Sequence, residues 1–156
     1  MRSLIQFLLL GTLSLSTLAM DMNIRVRMDY VYGDYRVYER FFKAFQQAVN
    51  SADVNLVARM VEFPLKVHTL DGTQLVESQQ DFIAQYQHII NDGVYTEVVR
   101  QNFEELFVHQ TGIMIGRGQV WFSGKCLEPG VNLEDGCKRV WVRITSISHT
   151  APSSFE

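Results

Sequence analysis

The segment formed by residues 112–122, GIMIGRGQVWF, constrains the fold more than any other part of this sequence. It is an apolar run of β-type residues that is interrupted by Gly116 and Gly118 and closed by a Val-Trp-Phe triplet. Glycine inside a strand pattern marks a bulge or a sharp bend. We therefore predict one long strand at residues 113–123, kinked at the glycines, at the centre of a curved sheet against which helices pack.

The first 19 residues have the pattern of a secretory signal peptide. Arg2 supplies a short positive region, residues 4–15 are apolar, and Ala19 is a small residue that suits signal peptidase. The alternative is an N-terminal membrane anchor, but the apolar run is shorter than the roughly 20 residues that a spanning helix needs. We expect cleavage near Ala19, a periplasmic or secreted protein, and no stable membrane anchor.

Charge and cysteine content narrow the class of protein further. The net charge is −3 and no basic run occurs, so the electrostatic footprint of a nucleic-acid-binding protein is missing. Cys126 and Cys137 are the two cysteines, and export places them in an oxidising compartment where such a pair closes a disulfide. A redox pair would more often have the spacing Cys-x-x-Cys, and no histidine lies between them to help bind a metal.

Hydrophobic spacing divides the chain into four segments. Residues 1–19 are the signal peptide, residues 20–34 an N-terminal arm or edge strand, residues 35–149 the folded domain, and residues 150–156 a disordered tail. The arm is predicted as extended because apolar residues alternate with polar ones between residues 23 and 32. Within the domain, the spacing predicts helices at residues 35–50, from 53, and 78–90, a helical turn at 94–101, and strands at 65–68, 74–77, 104–109, 113–123 and 139–148.

This order of elements resembles the nuclear transport factor 2-like superfamily over about residues 35–148. The segments that carry the resemblance are the Phe-rich helix of residues 35–50, Phe63-Pro64-Leu65 leading into a strand, Ser78 opening the third helix, the central segment of residues 112–122, and the closing strand of residues 140–147. The resemblance implies an α+β fold in which a cone-shaped, strongly curved mixed sheet packs on about three N-terminal and middle helices, with a pocket at the mouth of the cone.

The resemblance leaves the function open. The superfamily includes isomerases, dehydratases and hydrolases that act on small molecules, and also members that only bind, dimerise or assist other proteins. No catalytic motif of those enzymes matches this sequence residue by residue, so no catalytic residue is carried over.

Ionisable side chains offer few candidates for chemistry. None of the four histidines has a cysteine, histidine or carboxylate partner at metal-ligand spacing, so we predict no metal and no cofactor. No nucleophile or phosphate-loop motif occurs either. The ligand or pocket candidates are Tyr86, on the inward side of the predicted third helix, and His68 and His109 on strands. The alternative for Tyr86 is a core tyrosine whose hydroxyl is hydrogen-bonded.

The late strands carry a candidate interaction surface. Alternation places Val120 and Phe122 on one face and Trp121 on the other, and in the last strand it places Trp141 and Arg143 together. Tryptophan and arginine among polar neighbours are typical of interfaces, and superfamily members often dimerise through this side of the sheet. The alternative is that the faces are inverted and both tryptophans lie in the core.

These observations predict an exported, non-enzymatic binding or accessory protein. Its partner would be an exported protein or a small hydrophobic ligand, and a homodimer is a further option. The alternative is a small-molecule lyase, isomerase or hydrolase that acts in the cone pocket with Tyr86, His68 or His109 as acid or base. A structural module without a ligand is the third possibility.

Overall fold

The computed structural model describes residues 23–150, so the predicted signal peptide and all but the first residue of the predicted tail lie outside the described residues. Helices dominate the first part of this range and strands the last, which confirms the predicted α+β class. The helices are α1 (Ile24–Tyr32), α2 (Tyr35–Asn50), α3 (Val54–Arg59), α4 (Gln79–Ala84), α5 (Tyr86–Ile89) and α6 (Asp92–Arg100), followed by a 3-10 turn at Phe103–Glu105. The strands are β1 (Val61–Thr69), β2 (Gly72–Val76), β3 (Phe107–His109), β4 (Gly112–Ile115), β5 (Val120–Cys126) and β6 (Val140–Ser148).

The six strands form one open mixed sheet in the order β2-β1-β6-β5-β4-β3. Neighbouring strands are antiparallel except β1 and β6, which run parallel at the centre of the sheet. The mixed sheet was predicted and is confirmed. The cone shape that the resemblance implies stays a prediction.

Helix α2 is the element that sequence describes best. The side chain of Asp34 accepts a hydrogen bond from the backbone N–H of Arg36 and so caps the helix at its predicted start. Its apolar stripe is buried, including Tyr38, Phe42 and Phe45. Burial of a large apolar side chain stabilises a fold by about 1.5–3 kcal/mol, so this stripe anchors the helix to the sheet.

One hydrophobic core joins the helices to the inward face of the sheet. Val120 and Phe122 are fully buried, and the ring of Phe122 lies 5.4 Å from that of Phe41 on α2. Their burial decides between the two orientations of the sheet faces that the sequence left open. Trp121, between them, therefore points to the other face of the sheet, because successive strand residues alternate.

The predicted N-terminal strand is wrong, since Ile24–Tyr32 is the helix α1. Every second residue of this segment is apolar, but only every fourth is buried, which is the spacing of one helix face. The intervening Val26 and Tyr30 are exposed. The buried residues are Ile24, Met28 and Tyr32. The apolar residues thus repeat every two positions, whereas the buried residues repeat every four.

The predicted bent central strand is also wrong, because it is the β4–β5 hairpin. Ile115 pairs with Val120 in antiparallel register, and the chain reverses between them. Gly116 (φ +65°) and Gly118 (φ +108°) adopt left-handed backbone conformations in this turn, which glycine alone reaches without a steric cost. The glycines therefore reverse the chain where the sequence indicated a kink.

The helices are more numerous than the three expected, since residues 23–150 contain six. The predicted helix of residues 78–90 is divided into α4 and α5 at Gln85, whose side-chain oxygen accepts a hydrogen bond from Gln74 Nε2 at 2.7 Å. The predicted strand of residues 104–109 begins only at Phe107, because Asn102 caps a 3-10 turn before it. Apolar periodicity reports neither of these side-chain contacts.

Cys126 and Cys137 form the predicted disulfide, with their Cα atoms 5.9 Å apart. The bond closes the loop that connects β5 to β6, and a backbone hydrogen bond from Leu127 N to Arg139 O closes the same loop at its base. Between residues 23 and 150, none of the helices combines the length and apolarity required to cross a membrane.

Candidate functional site

The side of the sheet that faces away from the core, here called the outward face, holds the predicted interface residues. The register of the five strand pairs places one row of outward side chains across all six strands. Its members, from one edge of the sheet to the other, are Phe107, Met114, Trp121, Ser146, Lys66 and Leu75. The row is apolar at the β3 edge and becomes polar and cationic towards β1.

The apolar part of this row is an aromatic cluster. The rings of Phe107 and Trp121 lie edge to face with their centroids 6.4 Å apart, a preferred arrangement for aromatic pairs. Met114 lies between them in the register and is buried, although it does not belong to the main core. We infer that the two rings shield it on the outward face.

The second part of the outward face is built around Arg143 on β6. Its guanidinium carbon lies 4.1 Å from the ring centroid of Trp141, and its Nη1 donates a hydrogen bond to the carbonyl oxygen of Val142 at 2.9 Å. Partial burial lowers the pKa of Arg143, and the nearby carboxylate of Glu62 opposes that shift. The group remains charged, because an arginine pKa lies far above neutral. The stack therefore holds a partly desolvated cation at the surface.

An ion pair spans the sheet beside this stack. Lys125 on β5 binds the carboxylate of Glu62 on β1, and β6 lies between these two strands. Outward strand positions carry Lys66, Lys125 and Arg143 as cations and Glu62 as an anion. The whole chain has 14 basic and 17 acidic residues. The outward face is thus locally positive on an acidic protein.

His68 also belongs to the outward face. With Trp121, Ser146 and other residues at the ends of β5 and β6, it lines a shallow groove of about 270 Å³. Its Nδ1 lies 2.9 Å from Thr73 Oγ1 on β2. The structure therefore places one predicted pocket residue, His68, in the same groove as one predicted interface residue, Trp121, with β6 between them.

The other two pocket candidates lie elsewhere. Tyr86 is buried on the helical side, where it lines a cleft of about 330 Å³ with Ile83 and His88, and burial raises the pKa of its phenol. His109 ends β3 at the edge of the sheet, with its Nδ1 3.0 Å from Thr111 Oγ1. Tyr86, His68 and His109 therefore do not form one site.

One further cleft was not predicted from the sequence. It has a volume of about 650 Å³ and lies between the end of α1, the end of β5 and the disulfide loop. Tyr30, Tyr32, Gln110 and residues 131–134 contribute to its walls. The end of the helix α1 forms one of these walls, and the sequence predicted this segment as a strand.

Two buried tyrosines, Tyr32 and Tyr38, lie side by side near β5. Tyr32 donates a hydrogen bond to the carbonyl oxygen of His109 at 2.5 Å, and its ring lies 5.1 Å from that of Tyr38. The hydroxyl of Tyr38 has no hydrogen-bond partner among residues 23–150. Burial raises the pKa of Tyr32 to about 12 and raises that of Tyr38 still further.

No protein-family model, no curated protein and no solved structure matches this chain. The resemblance to the nuclear transport factor 2-like superfamily therefore stays a prediction.

The cysteines do not supply a metal site. Cys126, Glu128 and Cys137 place one potential ligand atom each within 4.8 Å of the others. The two sulfurs are bonded to each other, whereas zinc binds the thiolate form of cysteine. This cluster is therefore explained by the disulfide.

Alkaline pH is expected to destabilise the fold through Tyr32. Its folded-state pKa of about 12 lies above the unfolded value of about 10. Stability from the neutral phenol is therefore present below pH 10 and is lost as the pH rises towards 12. Urea unfolding from pH 9 to 12 should show a falling midpoint, and the fall should be smaller in Tyr32→Phe. The exposed Tyr30→Phe is the control, and an unchanged fall in Tyr32→Phe would contradict the assignment.

Proposed function

We propose that this protein is an exported, non-enzymatic binding protein that binds a partner protein through the outward face of its sheet. The observation that carries the proposal is the exposed stack of Trp141 and Arg143, with Trp121 on the adjacent strand. Trp141 is 38% exposed although it lies in a central strand. Tryptophan and arginine are the residue types most enriched among interface hot spots.

The opposite side of the sheet supports binding over catalysis. Among residues 23–150 no buried side chain is charged or carries an amide, imidazole or aliphatic hydroxyl group, and the core is filled by apolar and tyrosine side chains. General acid–base catalysis needs a positioned titratable group in a pocket, usually with a partner that shifts its pKa. Tyr86, His68 and His109 lie apart, so they support a lyase, isomerase or hydrolase less well than the outward face supports a binding protein.

Two further observations support export and the superfamily resemblance. The disulfide between Cys126 and Cys137 is of the kind that persists in oxidising compartments, and residues 1–19 have the pattern of a signal peptide. The mixed sheet and the helix-first order of elements fit the superfamily. We therefore include a periplasmic or secreted location and a nuclear transport factor 2-like fold in the proposal.

Site-specific photo-cross-linking tests the proposal. A photo-reactive amino acid at Lys66 or Thr145, on the outward face, should give one discrete adduct when the full chain is incubated with the exported fraction of its source cells. The same group at Tyr95, a helical residue 40% exposed, should give none. Trp141→Ser should weaken formation of the adduct by about 30-fold, the equivalent of about 2 kcal/mol.

The matched control for that substitution is Tyr95→Ser, which removes an aromatic ring of equal exposure from the helical side. Far-ultraviolet circular dichroism and urea unfolding verify that each variant is folded. Equal adducts from Tyr95 and from the outward positions, or an adduct that survives Trp141→Ser unchanged, would count against the outward face as the binding surface.

A further inference from the structure

The guanidinium of Arg143 has hydrogen-bonding capacity that the described residues leave unused. An arginine side chain has five N–H donors, and the structure shows one of them bound to Val142 O. No carboxylate among residues 23–150 forms an ion pair with Arg143. The Trp141 ring holds the planar group in place at 4.1 Å. The donors of this cation are therefore pre-oriented for an acceptor that the described chain does not supply.

The acid whose charge acts on Arg143 is already engaged. Glu62 influences the pKa of Arg143 through charge alone, while its carboxylate binds the ammonium group of Lys125. Lys66, in the row that contains Trp121, also lies in no ion pair within the described range. Two cations on this face thus remain without a carboxylate beside an aromatic cluster.

We infer that the partner is a protein segment that places carboxylates next to an aromatic or aliphatic side chain. One carboxylate accepts two hydrogen bonds from Arg143, a second lies near Lys66, and the apolar side chain packs on Trp121 and Phe107. This inference rests on the proposed function and specifies the chemistry of the partner. Arginine and carboxylate form short, charge-assisted pairs of matching planar geometry.

The charge of the outward face favours an acidic partner over a second copy of this chain. Face-to-face pairing of two copies would bring together two surfaces that each carry three cations and one anion. Like charges across an interface suppress association, whereas complementary charges steer it. An acidic segment, in contrast, meets opposite charge and leaves no cation buried without a partner.

An anionic lipid surface fits the face less well. Binding to anionic lipid needs several basic residues that act together around a buried apolar surface. One of the three cations at the outward strand positions is neutralised by Glu62, which leaves Lys66 and Arg143. Trp121 is half-buried in the sheet, so this ring is not free to insert between lipids.

The test is a selection of random 12-residue peptides displayed on phage against the immobilised full chain. We expect enrichment of sequences in which Asp or Glu lies within two residues of Trp, Phe or Leu. Synthetic forms of the selected peptides should bind at least 10-fold more weakly to Arg143→Gln, and their affinity should fall when salt rises from 50 to 500 mM. Arg143→Lys should recover only part of the loss, because an ammonium group lacks the planar pair of donors.

Arg59→Gln is the matched control, since it removes the same charge from an exposed position on α3. It should leave peptide affinity unchanged. Lys66→Gln, at an exposed outward position, should weaken binding about 3-fold and serves as a second variant if Arg143→Gln does not fold.

The remaining outcomes separate this inference from the proposed function. Selected peptides without acidic residues that lose affinity with Trp141→Ser but not with Arg143→Gln would overturn the carboxylate inference alone. Peptides whose affinity changes with neither substitution, or a selection that enriches no sequence, would count against the carboxylate inference and the proposed function alike. A concentration-dependent dimer that Arg143→Gln disrupts in sedimentation, or Arg143-dependent binding to phosphatidylglycerol vesicles, would assign the face to a second copy or to lipid and overturn the acidic protein partner.

Discussion

Gly124→Ala should lower the free energy of unfolding by about 3 kcal/mol, the upper part of the range for overpacked cores. A Cβ atom at this position would lie 2.2 Å from the hydroxyl oxygen of Tyr38 and 2.8 Å from Cγ1 of Val140. The Tyr38 ring has no room to retreat, because it is fully buried, and its Cζ atom would also lie only 3.0 Å from the new Cβ. Urea unfolding followed by tryptophan fluorescence measures the change.

Tyr38→Phe should rescue part of that loss, since it removes the oxygen atom that the new Cβ would strike. By itself, Tyr38→Phe should be neutral or stabilising by about 1 kcal/mol, because it deletes a buried hydroxyl that has no partner in the described part of the chain. The cost of Gly124→Ala should be smaller in the Tyr38→Phe background than in the natural chain. Equal costs in both backgrounds would show that the hydroxyl is not the obstacle. Gly93→Ala is the control, since its nearest neighbour would lie at 3.4 Å.

Removal of the disulfide is expected to cost about 3 kcal/mol. Cys126 and Cys137 are separated by 11 positions, and closing a loop of that size in the unfolded chain accounts for a stabilisation of this magnitude. The double substitution Cys126→Ser with Cys137→Ser should lower the urea midpoint and make the loop between them the first site of limited proteolysis, because loop tips without a constraint are preferred cleavage sites.

Reduction of the natural chain provides the control for the disulfide. Dithiothreitol should lower its unfolding midpoint to that of the doubly substituted protein and should leave the latter unchanged. A free energy of unfolding that changes by less than about 0.5 kcal/mol in both comparisons would mean that the hydrogen bond between Leu127 and Arg139 and the packing of the loop suffice to close it.

Sequence predicted those features that depend on one local signal. Helix α2 follows from a long apolar stripe after the capping residue Asp34, and the disulfide follows from two cysteines in a chain with an export pattern. Each of these two signals has one physical reading that is strongly favoured over its competitors. Alternation alone also separated Val120 and Phe122 from Trp121, but it left open which face is inward, and burial decides that question.

Where two structures share a signal, sequence alone did not decide between them. The apolar residues of α1 stand at every second position, which is the pattern of a strand. Those at every fourth position, such as Met28, form the buried face of a helix, and the sequence does not distinguish them from the others. Gly116 and Gly118 suit both a bend and a reversal, and the register of Ile115 with Val120 decides for the reversal. Only tertiary packing distinguishes these alternatives.

The candidate site was predicted only in part for a similar reason. Trp121, Trp141 and Arg143 were identified from alternation within single strands. The pairing of Lys125 with Glu62 across β6 was not, because it depends on the strand order, which places β1 beside β6. The availability of Arg143 to a carboxylate follows from that pairing and therefore also needed the structure.

The parallel pairing of β1 with β6 has a consequence for the order in which the chain acquires its structure. Val67 pairs with Ile147, so the centre of the sheet joins the early and late parts of the described chain. Without β6, the remaining strands form two separate antiparallel groups, β1 with β2 and β3 with β4 and β5. Contacts between residues that are distant in sequence require loop closure before they stabilise the fold, and they form late. The six-stranded sheet therefore cannot be completed until β6 has been synthesised, and until then its two antiparallel groups have no strand that joins them.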